Sequence, residues 1–190
     1  SEPIRRRAPA PAATLRRLIK PYILRRTKGE VLRDLPPRTD IDLRVDLSAA
    51  ERAIYDELRK RAEQELEDAG ERMLPKLLRW LTRLKQAACH PGLVDERFRG
   101  LEGAKERALS QTIDELRASG HRALVFSQYV RHLKVLEARL VRDGVACLYL
   151  DGSTKERGDL QKRWNRADGP PLFLISLKAG GTGLNLTAAD

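Results

Sequence analysis

The spacing of hydrophobic residues changes along this 190-residue chain, and each change predicts a different kind of element. From Ile41 to Leu47 every second residue is apolar and the residues between them are charged, which predicts a half-buried strand. From Ser48 onwards the apolar residues recur every three or four positions, which predicts a helix. Ser48 and Glu51 fit a capping box at its start, and Gly70 is expected to end it.

A second helix is predicted directly after the first, with Pro75 in its first turn and His90 beyond its end. Its apolar face is formed by Leu74, Leu77, Leu78, Leu81 and Leu84. Neither helix belongs to a strand–helix–strand pattern. We therefore expect the pair to form a helical protrusion, with Val94–Gly103 as the linker that leaves it.

The C-terminal half has the alternating pattern of an α/β domain. A helix over about Ala104–Ala118 is followed by strand, helix, strand, helix and strand, predicted at Ala123–Phe126, Val130–Arg142, Ala146–Leu150, Lys155–Asn165 and Leu172–Ile175. Each connection is long enough for a right-handed parallel crossover, so the strands should form one parallel sheet. The carboxyl ends of such strands meet at one edge, where ligands bind. Ser153 and Thr154 are candidate caps of the helix predicted at Lys155–Asn165, and Asp151 is expected to cap or brace its loop.

The last strand leads into a glycine-rich loop containing Gly180, Gly181 and Gly183. Residues 185–187 then predict the start of a helical turn, and this layout is typical of a nucleotide or phosphate site. A Walker A loop is excluded because the chain has no Gly-Lys dipeptide, and a dinucleotide fingerprint would need glycine at Leu186. Taken alone, the loop fits an ordinary strand–helix turn equally well.

Five segments, in this order, resemble sequence blocks of SWI/SNF-type ATPases, which are superfamily-two DNA translocases built from two RecA-like lobes. The segments are Leu24–Pro37, Leu84–Pro91, Ala123–Tyr129, Leu150–Asn165 and Ser176–Asp190. The resemblance implies an incomplete second lobe: a RecA-like parallel sheet flanked by helices, with a helical protrusion near its N-terminal side. It assigns residues 1–38 to the end of the first lobe and the inter-lobe linker, 39–103 to a strand and the protrusion, and 104–190 to the C-terminal lobe.

The resemblance also assigns roles to matching residues. The residues that would face DNA are Ser127, Gln128, Gly152, Ser153, Ser176, Lys178, Ala179 and Gly180. Gly181, Gly183 and Asn185 would face ATP across the cleft between the lobes. Arg25 and Arg26 match the basic inter-lobe segment, whose partner is either the other lobe or DNA.

The groups that catalyse phosphoryl transfer are not recognisable in the chain. It lacks the glycine-lysine phosphate cradle, and the Asp-Glu pairs at 56–57, 95–96 and 114–115 do not follow apolar strands. The family's arginine-finger block comes after the segment that ends at Asp190. We therefore expect no catalytic residue or metal ligand in this chain. ATP and Mg²⁺ are expected in the intact two-lobe protein, and neither is expected to bind tightly to the chain alone.

The net charge of +10 is concentrated at the N-terminus. Residues 1–38 hold eleven Lys/Arg and three Asp/Glu, a net of +8, which suits an acidic surface such as DNA or else a solvated leader. Ser1–Ala13 is expected to be unstructured, Thr14–Ile19 to be a short helix, and Tyr22–Leu35 to be a basic amphipathic segment. The distant Cys89 and Cys147 are expected to be reduced thiols of a cytosolic protein.

The expected partners are double-stranded DNA, a first RecA-like lobe and a DNA-bound protein target. No apolar run approaches the roughly 20 residues of a membrane span, so no membrane partner is expected. The expected location is cytoplasmic, at the nucleoid in a bacterium or in the nucleus of a eukaryote. The alternative functions are a non-catalytic adaptor that binds protein or nucleic acid through a RecA-like fold, and an RNA helicase lobe. The long helical insertion and Asn185 favour the DNA translocase over the RNA helicase.

Overall fold

The fold is a parallel α/β sheet preceded by a helical hairpin, in a computed structural model that describes residues 9–24, 39–67, 70, 73–181 and 183–189. The chain divides into two units, Ser1–Leu43 and Arg44–Asp190. Arg25 and Arg26, with most of the predicted basic amphipathic segment, lie outside the described residues. Within the described part, no helix is both long and apolar enough to cross a membrane.

The first unit contains helix α1, Pro9–Ile19, followed by a 3₁₀ turn, Lys20–Tyr22. The helix begins five residues before the predicted start at Thr14, so part of the segment expected to be unstructured is helical. The physical reason is composition, because alanine has the highest helix propensity and proline is tolerated in a first turn. The helix ends before Pro21, as predicted.

The helical hairpin consists of α2, Ala49–Glu67, and α3, Met73–Cys89. The predicted capping box is present: Ser48 N donates to Glu51 Oε2 at 2.9 Å, and Glu51 N donates to Ser48 Oγ at 3.3 Å. Glu51 also accepts a hydrogen bond from Ala104 N at 3.0 Å, which ties the hairpin to the next helix. Burial opposes ionisation of Glu51, but these hydrogen bonds outweigh it and lower the pKa of the carboxyl.

The interior of the hairpin is formed by Leu58, Ala62, Trp80 and Ala87. Trp80 Nε1 donates to Glu65 Oε2 of the facing helix at 3.2 Å. The predicted apolar face of α3 is only partly covered, because Leu74, Leu78 and Leu81 are exposed. The apolar stripe of α3 is therefore wider than the surface that α2 can bury.

The strand predicted at residues 41–47 does not form. All of these residues are described, and they form neither a strand nor a helix and have no ladder partner among the described residues. Ile41 and Leu43 are 85% and 67% exposed. Alternation indicates that one face can be buried, but a strand also requires a neighbouring backbone to pair its N–H and C=O groups.

The sheet has three parallel strands, β1 (Ala123–Ser127), β2 (Cys147–Leu150) and β3 (Leu172–Ser176), in the order β1-β3-β2. Three helices flank it: α4 (Ala104–Ala118), α5 (Val130–Arg142) and α6 (Arg157–Asn165). The central β3 is buried along its whole length, as its continuous apolar run predicts. The predicted RecA-like parallel sheet flanked by helices is confirmed.

Alternate residues of β3 enter two separate cores, one on each face of the sheet. Leu172 and Leu174 pack with Ile113 of α4 and with the inner side of α5. Phe173 and Ile175 pack with Trp164 of α6, whose ring centroid lies 5.5 Å from that of Phe173. Both faces of the sheet are thus filled, which leaves the carboxyl edge of the strands as the place for a site.

Candidate nucleotide and nucleic-acid interface

The three strands end at the same level, so the loops that follow them share one edge of the sheet. Ser127 of β1 pairs in register with Ser176 of β3, and Leu150 of β2 pairs with Ile175. Asp151, the residue after β2, therefore lies beside Ser176. This convergence agrees with the prediction from the strand–helix alternation.

The loop after β1 is braced by Ser127. Its Oγ accepts a hydrogen bond from Tyr129 N at 3.1 Å and lies 3.5 Å from Nδ1 of His132. Ser127 is half-buried, whereas Gln128 is exposed at the tip. Ser127 therefore braces this loop from inside.

Asp151 organises the loop after β2, as predicted. Its carboxylate accepts from Ser153 N at 2.8 Å, from Ser153 Oγ at 2.6 Å and from the Tyr149 hydroxyl at 2.9 Å. The hydrogen bond from the Ser153 hydroxyl and those from Ser153 N and Tyr149 keep the pKa of Asp151 below its ordinary value, although burial opposes this. The carboxylate of Asp151 is buried within the loop, whereas Gly152 and Ser153 are exposed at the edge.

Ser153 and Thr154 do not cap the next helix, which corrects the prediction. Helix α6 begins at Arg157, two residues later than expected, with Glu156 at the N-cap position. Thr154 Oγ1 instead accepts from Asp151 N at 3.0 Å. Both hydroxyls are used inside a turn around Asp151 because short polar side chains compete for local backbone partners.

A short helix, α7 (Leu177–Gly180), follows β3 directly. Ser176 is its N-cap, and Ser176 Oγ accepts from Ala179 N at 3.3 Å. Ser176 and Ala179 are 2% and 3% exposed, so their side chains serve the fold. A Cβ at Gly180 would come within 2.9 Å of the Phe126 ring, which explains glycine there.

The glycine loop and the helical turn occur in the reverse of the predicted order. Gly181, at the end of α7, has an ordinary φ of −72°, and residues 185–187 contain no helix. Among the described glycines of this segment, only Gly183 has a left-handed backbone, with φ +65°. A Cβ there would meet no atom within 4 Å, so the conformation rather than crowding selects glycine.

The segment around Asn185 is held by two polar side chains of α6 that the sequence did not single out. Asn165 Nδ2 donates to Asn185 O at 2.9 Å, and Asn165 Oδ1 accepts from Thr187 N at 3.1 Å. Gln161 Oε1 accepts from Asn185 N at 3.3 Å. Their four-residue spacing places them on one face of a helix, a signal that was available in the sequence.

A second unpredicted feature is a contact between the hairpin and the buried His132 of α5. Nδ1 of His132 lies 3.3 Å from Cys89 Sγ, at the end of α3, and 3.5 Å from Ser127 Oγ. Burial, followed by the nearby His90 and Lys105, lowers the pKa of His132 to about 4. His132 therefore packs as a neutral ring near neutral pH.

Acid should destabilise the protein through His132. Because the pKa is lowered from 6.5 to about 4, the unfolded state binds the proton more readily, and stability is lost as the pH falls between these values. The loss should reach up to about 3 kcal/mol near pH 4. Urea unfolding at several pH values tests this: His132→Leu should flatten the dependence and the exposed control His121→Gln should not. Equal pH dependence in wild type and His132→Leu would contradict the assignment.

The residues present fit only part of a nucleotide site. The edge offers exposed backbone around Gly181, Gly183 and Asn185, but the described residues contain no cluster of three or more His, Cys, Asp or Glu that could hold a metal ion. With no Gly-Lys cradle in the sequence, this chain does not by itself fit ATP with Mg²⁺.

Comparison with protein families gives two adjacent matches. Residues 1–93 match the SNF2-related domain, and residues 104–190 match the helicase conserved C-terminal domain. Among curated relatives, a probable ATP-dependent DNA helicase of Arabidopsis thaliana, CHR12, is 37% identical over 93% of this chain and 17% of its own length. A putative ATP-dependent helicase/translocase of Bacillus subtilis, YwqA, is 36% identical over 93% of this chain and 20% of its own length.

Two solved structures of SWI2/SNF2 ATPases are similar to this chain. The Sulfolobus solfataricus SWI2/SNF2 ATPase core domain is 28% identical with a TM-score of 0.69, covering 99% of this chain and 41% of that one. The same organism's core in complex with dsDNA has a TM-score of 0.73 at 24% identity, covering 99% and 42%. The chain spans about a fifth or less of the curated relatives' length. With the family matches on both sides of residue 100 and the RecA-like sheet, the chain belongs to the SWI/SNF-type family of SNF2-related helicases.

Proposed function

We propose that this chain is the second-lobe portion of an ATP-dependent double-stranded DNA translocase that remodels protein–DNA complexes. The observation that carries the proposal is the convergence of three polar loops on one sheet edge in a chain of this family. CHR12 and YwqA are named as ATP-dependent helicases, and one structural neighbour was solved with dsDNA. The division into residues 1–38, 39–103 and 104–190 is part of the proposal.

The part of the edge assigned to DNA consists of exposed groups on loops that internal hydrogen bonds hold in place. Gln128, Gly152 and Lys178 are exposed, and they supply amide, backbone and ammonium donors for phosphate oxygens. Ser153 is exposed beside them, but its hydroxyl donates to Asp151. The remaining residues assigned to this part, Ser127, Ser176, Ala179 and Gly180, shape the loops from inside.

The carboxylate nearest to this surface does not oppose an anionic partner. Asp151 is 7% exposed and accepts three hydrogen bonds within its own loop. Its charge is therefore shielded from the edge by the donors that surround it. A duplex would meet donors and one lysine rather than a negative rim.

The ATP-facing part consists of Gly181, Gly183 and Asn185, and Asn185 is anchored to α6 by Gln161 and Asn165. We expect this part to present backbone N–H groups to the phosphates of a nucleotide that is held mainly by a first lobe. ATP supplies the driving reaction when both lobes are present. This chain's residues bind and orient one side of the nucleotide.

The chain should bind duplex DNA weakly and without sequence preference. Phosphate contacts give affinity that falls steeply with salt, and loss of residues 1–38 should remove most of the affinity because they carry +8 of the +10 charge. Lys178→Glu should weaken binding by roughly three- to tenfold and reduce the salt slope.

Fluorescence anisotropy with a labelled duplex at two salt concentrations measures this. Lys162→Glu is the matched control, because Lys162 is equally exposed but lies on α6 and pairs with Asp159. Equal losses in the two variants would reject a DNA contact at Lys178. An affinity independent of salt would reject backbone binding altogether.

A further inference from the structure

A groove unrelated to the sheet edge lies between α5 and the segment that joins the hairpin to α4. Its volume is about 650 Å³. One wall is the side of α5 that does not pack on the sheet, and the other is formed by residues 92–93, 99–102 and Glu106. The groove lies wholly within the second unit of the chain.

The two walls are fixed to each other before any ligand binds. Arg131 Nη1 on α5 donates to Leu93 O across the groove at 3.4 Å. At the other end, Arg139 lies 2.8 Å from Glu102 and 3.7 Å from the buried Glu106. A site whose walls are already tied loses little conformational entropy on binding.

The floor of the groove is apolar, and its rim is basic. Leu101, Val130, Val135 and Ala138 supply aliphatic surface. Four exposed cations surround it: Arg99, Arg131, Lys134 and Arg142. Lys134 is held in place, because its Nζ lies 3.0 Å from Glu137 and 3.6 Å from the centroid of the Tyr149 ring. The other three pair with the exposed carboxylates of Glu96 and Asp143, and exposed pairs contribute little to stability. An incoming carboxylate can therefore replace them at small cost.

The charge of the lining residues selects the sign of the ligand. Five Arg/Lys residues and two Glu residues line the groove, a net of +3. Glu96, Glu137 and Asp143 pair with these cations from outside the lining, so an anionic ligand has to take the place of such exposed partners. The apolar floor and the carboxylates of Glu102 and Glu106 oppose a phosphodiester backbone, which needs an uninterrupted cationic surface. Together they suit a ligand with both carboxylates and aliphatic side chains.

The length of the groove sets the size of the ligand. Arg131 and Arg142 are eleven residues apart on α5, which corresponds to about 16 Å at 1.5 Å per residue. An extended peptide rises about 3.3 Å per residue, so four or five residues fill this length. Side chains of such a strand alternate, so one row can reach the aliphatic floor and the other the cationic rim.

We propose that this groove is a docking site for a short acidic segment of a partner protein, with aliphatic residues on the floor and carboxylates at Arg99 and Arg142. The proposal uses none of the residues assigned to DNA or ATP, so it can fail without affecting those assignments. The partner is identified by this chemistry alone.

Binding of a fluorescein-labelled peptide of sequence ELELE to the 190-residue chain tests the proposal. Two variants address the two features of the groove: the double variant Arg99→Glu/Arg142→Glu reverses the rim charge, and Ala138→Trp fills the floor without changing charge. Each should weaken binding by about tenfold or more. Lys85→Glu/Lys162→Glu is the matched control, with the same charge change on other exposed sites, and should leave the affinity within about twofold. Circular dichroism confirms that each variant is folded.

Two further probes separate the proposal from non-specific attraction. The peptide ESESE, which keeps the charge but lacks leucine, should bind at least about fivefold more weakly. Excess duplex DNA should not displace the leucine peptide. The proposal is overturned if the peptide does not bind, if the control variant weakens binding as much as the groove variants do, or if DNA competes for the groove.

Discussion

Gly183→Val should abolish DNA-stimulated ATP turnover in a protein that joins this chain to its first lobe, while the fold is retained. Gly183 has φ +65°, a region that costs a β-branched residue at least about 1–2 kcal/mol. Since a Cβ would meet nothing within 4 Å, the backbone can move away from this conformation without disturbing the core. The movement would displace the segment assigned to the nucleotide, and a displacement of about 1 Å can cost about 100-fold in rate.

A matched control is available at the opposite edge of the sheet. Gly144, between α5 and β2, has φ +68° and also has no neighbour within 4 Å of a Cβ. Gly144→Val should lower the melting temperature by an amount similar to that of Gly183→Val and leave turnover unchanged. Gly183→Asn should retain much of the activity, because asparagine tolerates the left-handed region. Wild-type turnover in folded Gly183→Val would remove this loop from the ATP side of the cleft.

The 190-residue chain alone should hydrolyse no ATP above background. No Gly-Lys cradle occurs in the sequence, and the described residues hold no carboxylate cluster for Mg²⁺. Catalysis of phosphoryl transfer depends almost entirely on such positioned charges, so one wall of the cleft cannot lower the barrier.

Phosphate release from the purified chain, with and without duplex DNA, checks this result. A preparation of the Gly183→Val variant serves as the control for contaminating ATPases, because it should give the same background. DNA-stimulated release by the wild-type chain, absent from the variant, would show that the catalytic groups lie within these 190 residues after all.

The α/β half was predictable because its signals are local and agree with one another. Helices α4 and α5 have the predicted bounds, Ala104–Ala118 and Val130–Arg142, because their apolar stripes end at turn residues. Gly120 and Gly144 follow them with positive φ, as helix C-termini favour. The common edge of the strands follows from parallel connectivity, which the length of each crossover already implied.

The failures occurred where an element depends on a distant partner or on competing local hydrogen bonds. Residues 41–47 have the alternation of a strand, but no strand in the described part of the chain pairs with them. Thr154 binds Asp151 instead of capping α6, a choice that propensity alone cannot decide. The predicted turn at Asn185 is replaced by an irregular segment held by Gln161 and Asn165, whose role appears only when α6 is packed against it.

The sequence therefore predicted the position of the candidate site more fully than it predicted which of its side chains are exposed. The sequence placed polar loops at one sheet edge, and the structure adds which side chains reach solvent and which are internal. Lys178 is exposed next to the buried Ala179, and Ser153 is exposed while its hydroxyl is bound to Asp151. These distinctions come from rotamers and packing, which a linear pattern does not contain.

The most direct measurement of the central claim is displacement of a third strand from a DNA triplex by a protein that joins this chain to its first lobe. A translocase moving along the duplex should release the third strand only when ATP and an adjoining stretch of duplex are both present. Lys178→Glu should slow the release, and Gly183→Val should abolish it. ATP-independent release, or no release while the protein binds duplex and hydrolyses ATP, would contradict the account.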